Sequence, residues 1–194
     1  MKLIVFDTEA TDLVPGQICQ LSYLMIDGPQ IVGKNLFFAV DEMNPDAQEV
    51  HGMSMDDLEQ LSAGQHFEDR AQEIFADFAD AKMLAGHNIA ADDRYLRVEL
   101  ERLGLKLPKI QTFCTMNYFT SDTALARKVN IGRPKPPKLM ELCAHFAITD
   151  ELIAARAELY FGGGGTAHDA RFDAVATYLC LAEATRLGKV RGIL

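Results

Sequence analysis

The sequence has no closely spaced cysteines, no long apolar run and too few basic residues to balance its acids. Its cysteines, Cys19, Cys114, Cys143 and Cys180, stand far apart with no C-x-x-C among them. That excludes a zinc ribbon and a disulfide scaffold, and buried free thiols in a reducing compartment are expected. No stretch approaches the roughly 20 apolar residues needed to span a bilayer. The opening Met1-Lys2-Leu3-Ile4-Val5-Phe6-Asp7 meets an acid too early for a signal peptide. Secretion and membrane insertion are not expected, and a cytoplasmic location is. With 19 basic against 28 acidic residues, the net charge is −9. A field of that sign repels phosphate backbones. A nucleic-acid substrate would therefore require a local basic patch, bound cations, or both.

At 48% hydrophobic and 24% charged over 194 residues, the composition is that of an ordinary soluble globular chain. Such a length can bury roughly 70% of the surface exposed by the unfolded chain. No repeat, low-complexity tract or long linker interrupts it, so residues 1–194 are expected to form a single domain. Residues 2–6 are continuously apolar, as in a strand buried on both faces. Residues 17–27 and 31–40 predict a hairpin. Residues 45–62 read as short irregular helices, and 67–78 as a helix with apolar residues at 67, 71, 74, 75 and 78. A short strand over 83–85 ends in Gly86-His87-Asn88. A helix over 89–103, a strand near 110–115 and helices over 138–146 and 170–187 complete the pattern. The order β-β-β-α-β-α-β-α-α predicts an α/β layer fold around a mixed sheet, with an antiparallel hairpin beside a parallel strand pair.

Three stretches carry candidate chemistry. Asp7 and Glu9 share a face of the first strand, at its carboxyl end, where open α/β sheets place ligands. Two carboxylates on one side repel unless a cation lies between them, which a divalent metal supplies. Polar punctuation of a strand end is the plain alternative. In the 89–103 helix an apolar stripe runs through Ile89, Leu96, Leu100 and Leu103, bordered by Tyr95. Steps of three and four from Ile89 reach Asp92, which therefore points inward, whereas Asp93 pairs with Arg97 at the surface. A core-facing carboxylate is paired or binds a cation. A first-turn Asp satisfying free helix N–H groups, behind Asn88 as N-cap, is the alternative. Four glycines at 162–165 cannot hold a helix, so His168 lies on a loop and must reach Asp173 from there. A phosphate-cradling loop would need a Gly-Lys-Ser/Thr ending that is absent. A solvated loop histidine and a helix-cap aspartate are the alternatives for these two residues.

The motifs F-D-x-E-x-T, H-N-x-x-x-D-x-x-Y-L and H-x-A-x-x-D occur in that order over nearly the whole chain. The set resembles the DEDDh, DnaQ-like family of 3′-to-5′ exonucleases, the group that includes the proofreading subunit of bacterial replicative polymerase. The resemblance implies a ribonuclease H-like fold, with a mixed five-stranded sheet flanked by helices. It implies hydrolysis of nucleic acid, DNA favoured, to 5′-mononucleotides. It maps onto Asp7, Glu9, Asp92 and Asp173 as ligands of two Mg²⁺ or Mn²⁺ ions about 4 Å apart, with His168 as general base. Both metals favour oxygen ligands, and an imidazole with an ordinary pKa of roughly 6.5 suits a base at neutral pH. Val50-His51-Gly52-Met53-Ser54 is similar to the family's V-H-G-I/M-T/S segment, implying that His51 contacts the terminal nucleotide. Thr8 and Asn88 are the other substrate-binding candidates. The implied partners are a single-stranded 3′ end and a DNA polymerase, although no tethering extension follows Leu194, which leans toward a stand-alone enzyme.

Residues 123–139 contain Arg127, Lys128, Arg133, Lys135 and Lys138 and no acid. Pro134, Pro136 and Pro137 keep this segment extended. It is expected beside the active site, touching the nucleic-acid backbone, with a solvated basic loop as the alternative. Asp12 departs from the Gly of many relatives, and Ala91 from the aromatic that often precedes the middle Asp. Phe6-Asp7-Thr8-Glu9 also sits where haloacid-dehalogenase-like phosphatases carry D-x-D-x-T. Glu9 in place of Asp, and the missing later Lys and G-D-x-x-x-D, weigh against that reading. An exoribonuclease of the same family and a non-catalytic binding module complete the alternatives, the latter disfavoured by the intact five-residue set.

Overall fold

The computed structural model describes residues 2–125, 134–163 and 166–194. Its strands are β1 (Leu3–Ala10), β2 (Ile18–Asp27), β3 (Gln30–Phe37), β4 (Met83–Gly86) and β5 (Gln111–Cys114). They form one mixed sheet in the order β3-β2-β1-β4-β5. β1 pairs antiparallel with β2, and β2 with β3; β4 joins β1 in parallel and β5 joins β4 in parallel. The hairpin is thus where the sequence predicts it, and the parallel part has two strand pairs rather than one.

β1 is central because it is apolar on both faces. Leu3 and Val5 belong to one core with α7 (Leu139–His145), α8 (Asp150–Phe161) and α9 (Ala170–Arg186). Ile4 and Phe6 belong to the other, with α3 (Phe67–Ala79) and α4 (Ile89–Arg102). Alternate side chains of a strand point to opposite faces, so one run of four apolar residues glues helices onto both sides. This is the α/β layered architecture expected.

Residues 45–62 form two regular helices, α1 (Pro45–His51) and α2 (Met55–Ser62), rather than irregular ones. Asn44 caps the first by accepting from Asp46 N–H, and Ser54 with Asp57 forms a capping box on the second. The sequence pattern misses the twelve-residue α8. Ile153 and Ala157 are buried there, but Leu152 and Leu159 face solvent, so no apolar stripe stands out against a polar face. Two four-residue turns, α5 (Thr115–Tyr118) and α6 (Thr120–Thr123), are also unanticipated. The stripe of α4 stops at Leu100, and Leu103 lies beyond the last turn, exposed.

A tight junction brings α4 up to β1. A β-carbon on Gly86 would lie 2.8 Å from Ile89 Cδ1 and 3.2 Å from the Phe6 carbonyl, so a side chain there would displace Ile89 and press on β1. Asn88 follows in the left-handed region (φ 71°), which Asn tolerates better than most residues. Cys19, Cys143 and Cys180 are buried thiols as expected, while Cys114 is half-buried. Among the described residues no helix is long and apolar enough to cross a membrane.

Candidate active site

The alternation that builds the two cores also sorts the polar residues at the end of β1. Asp7 and Glu9 continue the face of Leu3 and Val5, toward α9, while Thr8 continues the face of Ile4 and Phe6, toward α4. On the α9 side, carboxylate oxygens of Asp7, Glu9 and Asp173 lie within 4.8 Å of one another. On the α4 side, Thr8 donates to Asp92 Oδ1 through its backbone N–H (3.1 Å) and its hydroxyl (2.7 Å). Asp92 is buried and points inward, as its helical position predicts. Its acceptor bonds come from Thr8, and Asn88 makes no side-chain cap bond. The four carboxylates therefore divide: three gather on one face of the strand, and Asp92 arrives from the opposite layer.

Their electrostatics show what this costs. Burial, then Asp92, Asp173, Glu9 and Asp169, raise the Asp7 carboxyl well above its ordinary range. Glu9 is pushed up to about 9 by burial, reinforced by Asp173, Asp92 and Asp169. Burial lifts Asp92 to about 7 against the hydrogen bonds from Thr8. Asp173 rises to about 6, burial being opposed by the nearby charge of His168 and by its backbone N–H. Each shift records the expense of gathering negative charge in a partly dry place without a cation. All four offer hard oxygens, and those of Asp7, Glu9 and Asp173 lie at short mutual range, which fits Mg²⁺ or Mn²⁺.

His168 is exposed and left-handed (φ 67°), and its N–H donates to Asp173 Oδ2 at 3.3 Å. Residue 168 thus meets Asp173 from the loop side through its backbone. The expected Asp93–Arg97 pair is present, with Arg97 Nε 2.9 Å from Asp93 Oδ2.

Asp7, Thr8, Glu9 and Asp92 line a cleft of about 380 Å³, together with Asn88, His51, His87, Ala91, Asp12 and Tyr95. His51 Nδ1 accepts from Met53 N–H at 3.1 Å, so in the neutral ring the proton sits on Nε2. Burial lowers the His51 pKa, favouring that neutral form. Nε2 lies 3.9 Å from the buried Cys19 Sγ. Asp12 accepts from Asn44 Nδ2 (3.2 Å) and from Leu13 N–H (2.6 Å), and these bonds hold its carboxyl below the usual range.

Several contributors escape sequence reasoning. The Tyr95 hydroxyl donates to the Asp12 carbonyl at 2.7 Å, tying α4 to the β1–β2 loop. Leu13 and Val14 on that loop are 89% and 74% exposed, apolar surface at the cleft mouth. His87 bridges Thr115 Oγ1 and the Pro137 carbonyl, each at 3.0 Å, bringing the proline-rich stretch to the cleft wall. Of the five basic residues expected there, Arg127, Lys128 and Arg133 lie outside the described residues. Lys135 is paired with Glu141 at 2.7 Å, and Lys138 is exposed. Tyr95 belongs to the H-N-x-x-x-D-x-x-Y-L motif and Pro137 to the segment expected beside the site, but their contacts carry no sequence signal.

A family model described as exonuclease matches residues 4–180. The fold is similar to that of E. coli Exonuclease I in complex with a dA16 oligonucleotide, with a TM-score of 0.69, 16% identity, and coverage of 95% of this chain and 41% of that one. The zinc-bound complex of the same protein with single-stranded DNA gives 0.72 at 18% identity, covering 97% and 41%. Its complex with a dT13 oligonucleotide gives 0.71 at 17%, covering 97% and 42%. The chain thus spans about two fifths of these structures' length. No curated protein matches the sequence.

Proposed function

Because the chain belongs to the exonuclease family whose model covers residues 4–180, we propose that it is a 3′-to-5′ exonuclease that hydrolyses single-stranded nucleic acid, DNA favoured, to 5′-mononucleotides. The observation that carries this reading is the trio Asp7, Glu9 and Asp173, oxygens within 4.8 Å, of which Asp7 and Glu9 line the cleft. Family membership leaves the phosphatase alternative without support.

Asp7, Glu9 and Asp173, with Asp92, would hold Mg²⁺ or Mn²⁺, two ions on this reading. When bound, such ions raise the acidity of water and screen the charge on a scissile phosphate. The protein's own groups do the rest. His168, on the exposed loop against Asp173, takes the proton from the attacking water as general base. Thr8 fixes Asp92, so the α4 carboxylate stays aimed at the strand end when the site fills. His51 offers its Nε2–H to the terminal nucleotide, and Leu13 and Val14 offer apolar surface to its base. The acidic field that repels nucleic acid is then cancelled where the phosphate sits. A DNA polymerase is a partner on the family resemblance alone, and cleavage by the isolated chain needs none.

The test is degradation of matched single-stranded DNA and RNA, labelled at either terminus, with Mg²⁺, with Mn²⁺ and with chelator. The 3′ label should leave first as a mononucleotide, only with metal, and faster from DNA. Early release of the 5′ label would reverse the polarity, and metal-independent cleavage would remove the mechanism.

A further inference from the structure

Beside the acidic trio lies a polar network that the reaction as described does not use. Gln20 on β2 is fully buried and stands opposite Glu9 in the β1–β2 register. A buried amide is costly to leave unpaired, so the destinations of its bonds carry information. Nε2 donates to Asn35 Oδ1 at 2.9 Å and to Asp169 Oδ1 at 3.0 Å. Oε1 accepts from Ala170 N–H at 3.2 Å. One neutral side chain therefore holds both the N-cap carboxylate of α9 and the first N–H of that helix.

Asp169 is itself firmly set. It accepts from Arg171 N–H at 3.0 Å and takes both Nε (2.9 Å) and Nη2 (2.6 Å) of the Arg171 guanidinium, which lies over the Phe37 ring. Its carbonyl accepts from Asp173 N–H at 3.1 Å. His168 precedes it directly. The start of α9 is thus moored to β2 and β3 at a point shared by the two α9-side residues of the active site.

The mooring answers a physical need. Without a cation, Asp7, Glu9 and Asp173 repel whenever they ionise together, and moving the first turn of α9 away from β1 would relieve that cost. The ligands cannot supply the restraint themselves, and a further charge beside them, added to that of Asp169, would disturb the trio. A glutamine adds no charge and provides both a donor and an acceptor. Glutamate would lose the donor toward Asp169 and add a fourth repelling carboxylate. We propose that Gln20 is a positioning residue: it docks the α9 N-terminus on β2 so that Asp173 and His168 keep their places against Asp7 and Glu9 before a cation arrives. This rests on the reading of Asp173 as a metal ligand and His168 as the base.

The experiment is calorimetric titration of the intact protein with Mn²⁺, alongside kinetics on a single-stranded oligonucleotide. Gln20→Met keeps the volume and removes the bonds. Loss of such an outer partner should weaken Mn²⁺ binding by about 10- to 100-fold and lower kcat with little change in KM. If that variant does not fold, Gln20→Asn keeps an amide that can pair with Asn35 yet cannot span to α9, and the same drop is expected. Ser22→Ala removes the Ser22–Asn35 bond (2.7 Å) at the far end of the network. It should lower the melting temperature while leaving Mn²⁺ affinity and kcat as in the wild type. Wild-type affinity and kcat in Gln20→Met, or equal losses in Ser22→Ala, would overturn the proposal. Asp173→Ala serves as the reference. If it leaves Mn²⁺ binding intact, the ligand assignment fails and this inference with it. If it abolishes binding while Gln20→Met binds normally, only the role of Gln20 fails.

Discussion

Asp169 and Asp173 stand one turn apart at the start of α9, and their surroundings treat them in opposite ways. Burial would raise Asp169, but hydrogen bonds from Arg171 and Gln20 hold its carboxyl below the ordinary range. Asp173 is raised to about 6 by burial, with the charge and N–H of His168 as the opposing influences. The first carboxylate is a completed part of the fold, its acceptors filled by a guanidinium, an amide and a backbone N–H. The second shares its space with Asp7 and Glu9, and the charge and N–H of His168 offset its burial in part. A helix that satisfies one acid so fully and its neighbour so much less points to a site completed by something other than protein.

The comparison breaks most visibly at the trio. Asp7→Ala should lower the rate on a labelled oligonucleotide by roughly 10³- to 10⁴-fold, the equivalent of several kcal/mol of lost metal-borne stabilisation. A variant within tenfold of wild type would remove Asp7 from the chemistry. His168→Gly should lower turnover by at least roughly 10²-fold. Because residue 168 is left-handed (φ 67°), glycine should also leave the melting temperature level or raise it. A fall in stability with turnover preserved would make His168 a structural residue.

Thermal unfolding against pH sharpens the contrast. Glu9, Asp92 and Asp173 titrate in the folded state at about 9, 7 and 6. In the unfolded chain they titrate at roughly 4. The folded state therefore holds the extra protons, and the metal-free protein should lose stability as pH rises from about 4 toward 9. Mn²⁺ should restore it, increasingly so at higher pH; a melting temperature equally unaffected by metal at every pH would contradict this. The smallest effect has opposite signs on the two neighbours. Asp169→Ala should destabilise the metal-free protein by about 1 kcal/mol or more through the lost cap. Asp173→Asn, which relieves repulsion, should raise its melting temperature.

Much of this was legible before any coordinates, for definite reasons. The inward position of Asp92 follows from the helical period through Ile89 and Leu96, and the pairing of Asp7 with Glu9 from strand alternation. The same alternation also contained what was missed: Thr8 must face the layer opposite Asp7, so the α4 carboxylate is held by Thr8 and comes to the acids from the other layer. Asp92 still lines one cleft with Asp7 and Glu9, and what the sequence leaves open is which helix covers which face, since a strand apolar on both sides does not say. Helix α8 was lost because Leu152 and Leu159 face solvent beside buried Ile153. Gln20 reads in sequence as a polar residue interrupting a strand, and its meaning appears only when Asp169, 149 positions away, lies against it.

The central claim is that protons occupy the acid cluster where cations belong. Calorimetric titration with Mn²⁺ at neutral pH, repeated in buffers of different ionisation enthalpy, counts the protons displaced on binding. With Glu9 titrating at about 9 and Asp7 raised well above its ordinary range, binding should release at least one proton. Binding with no proton release, or no binding at all, would contradict the account.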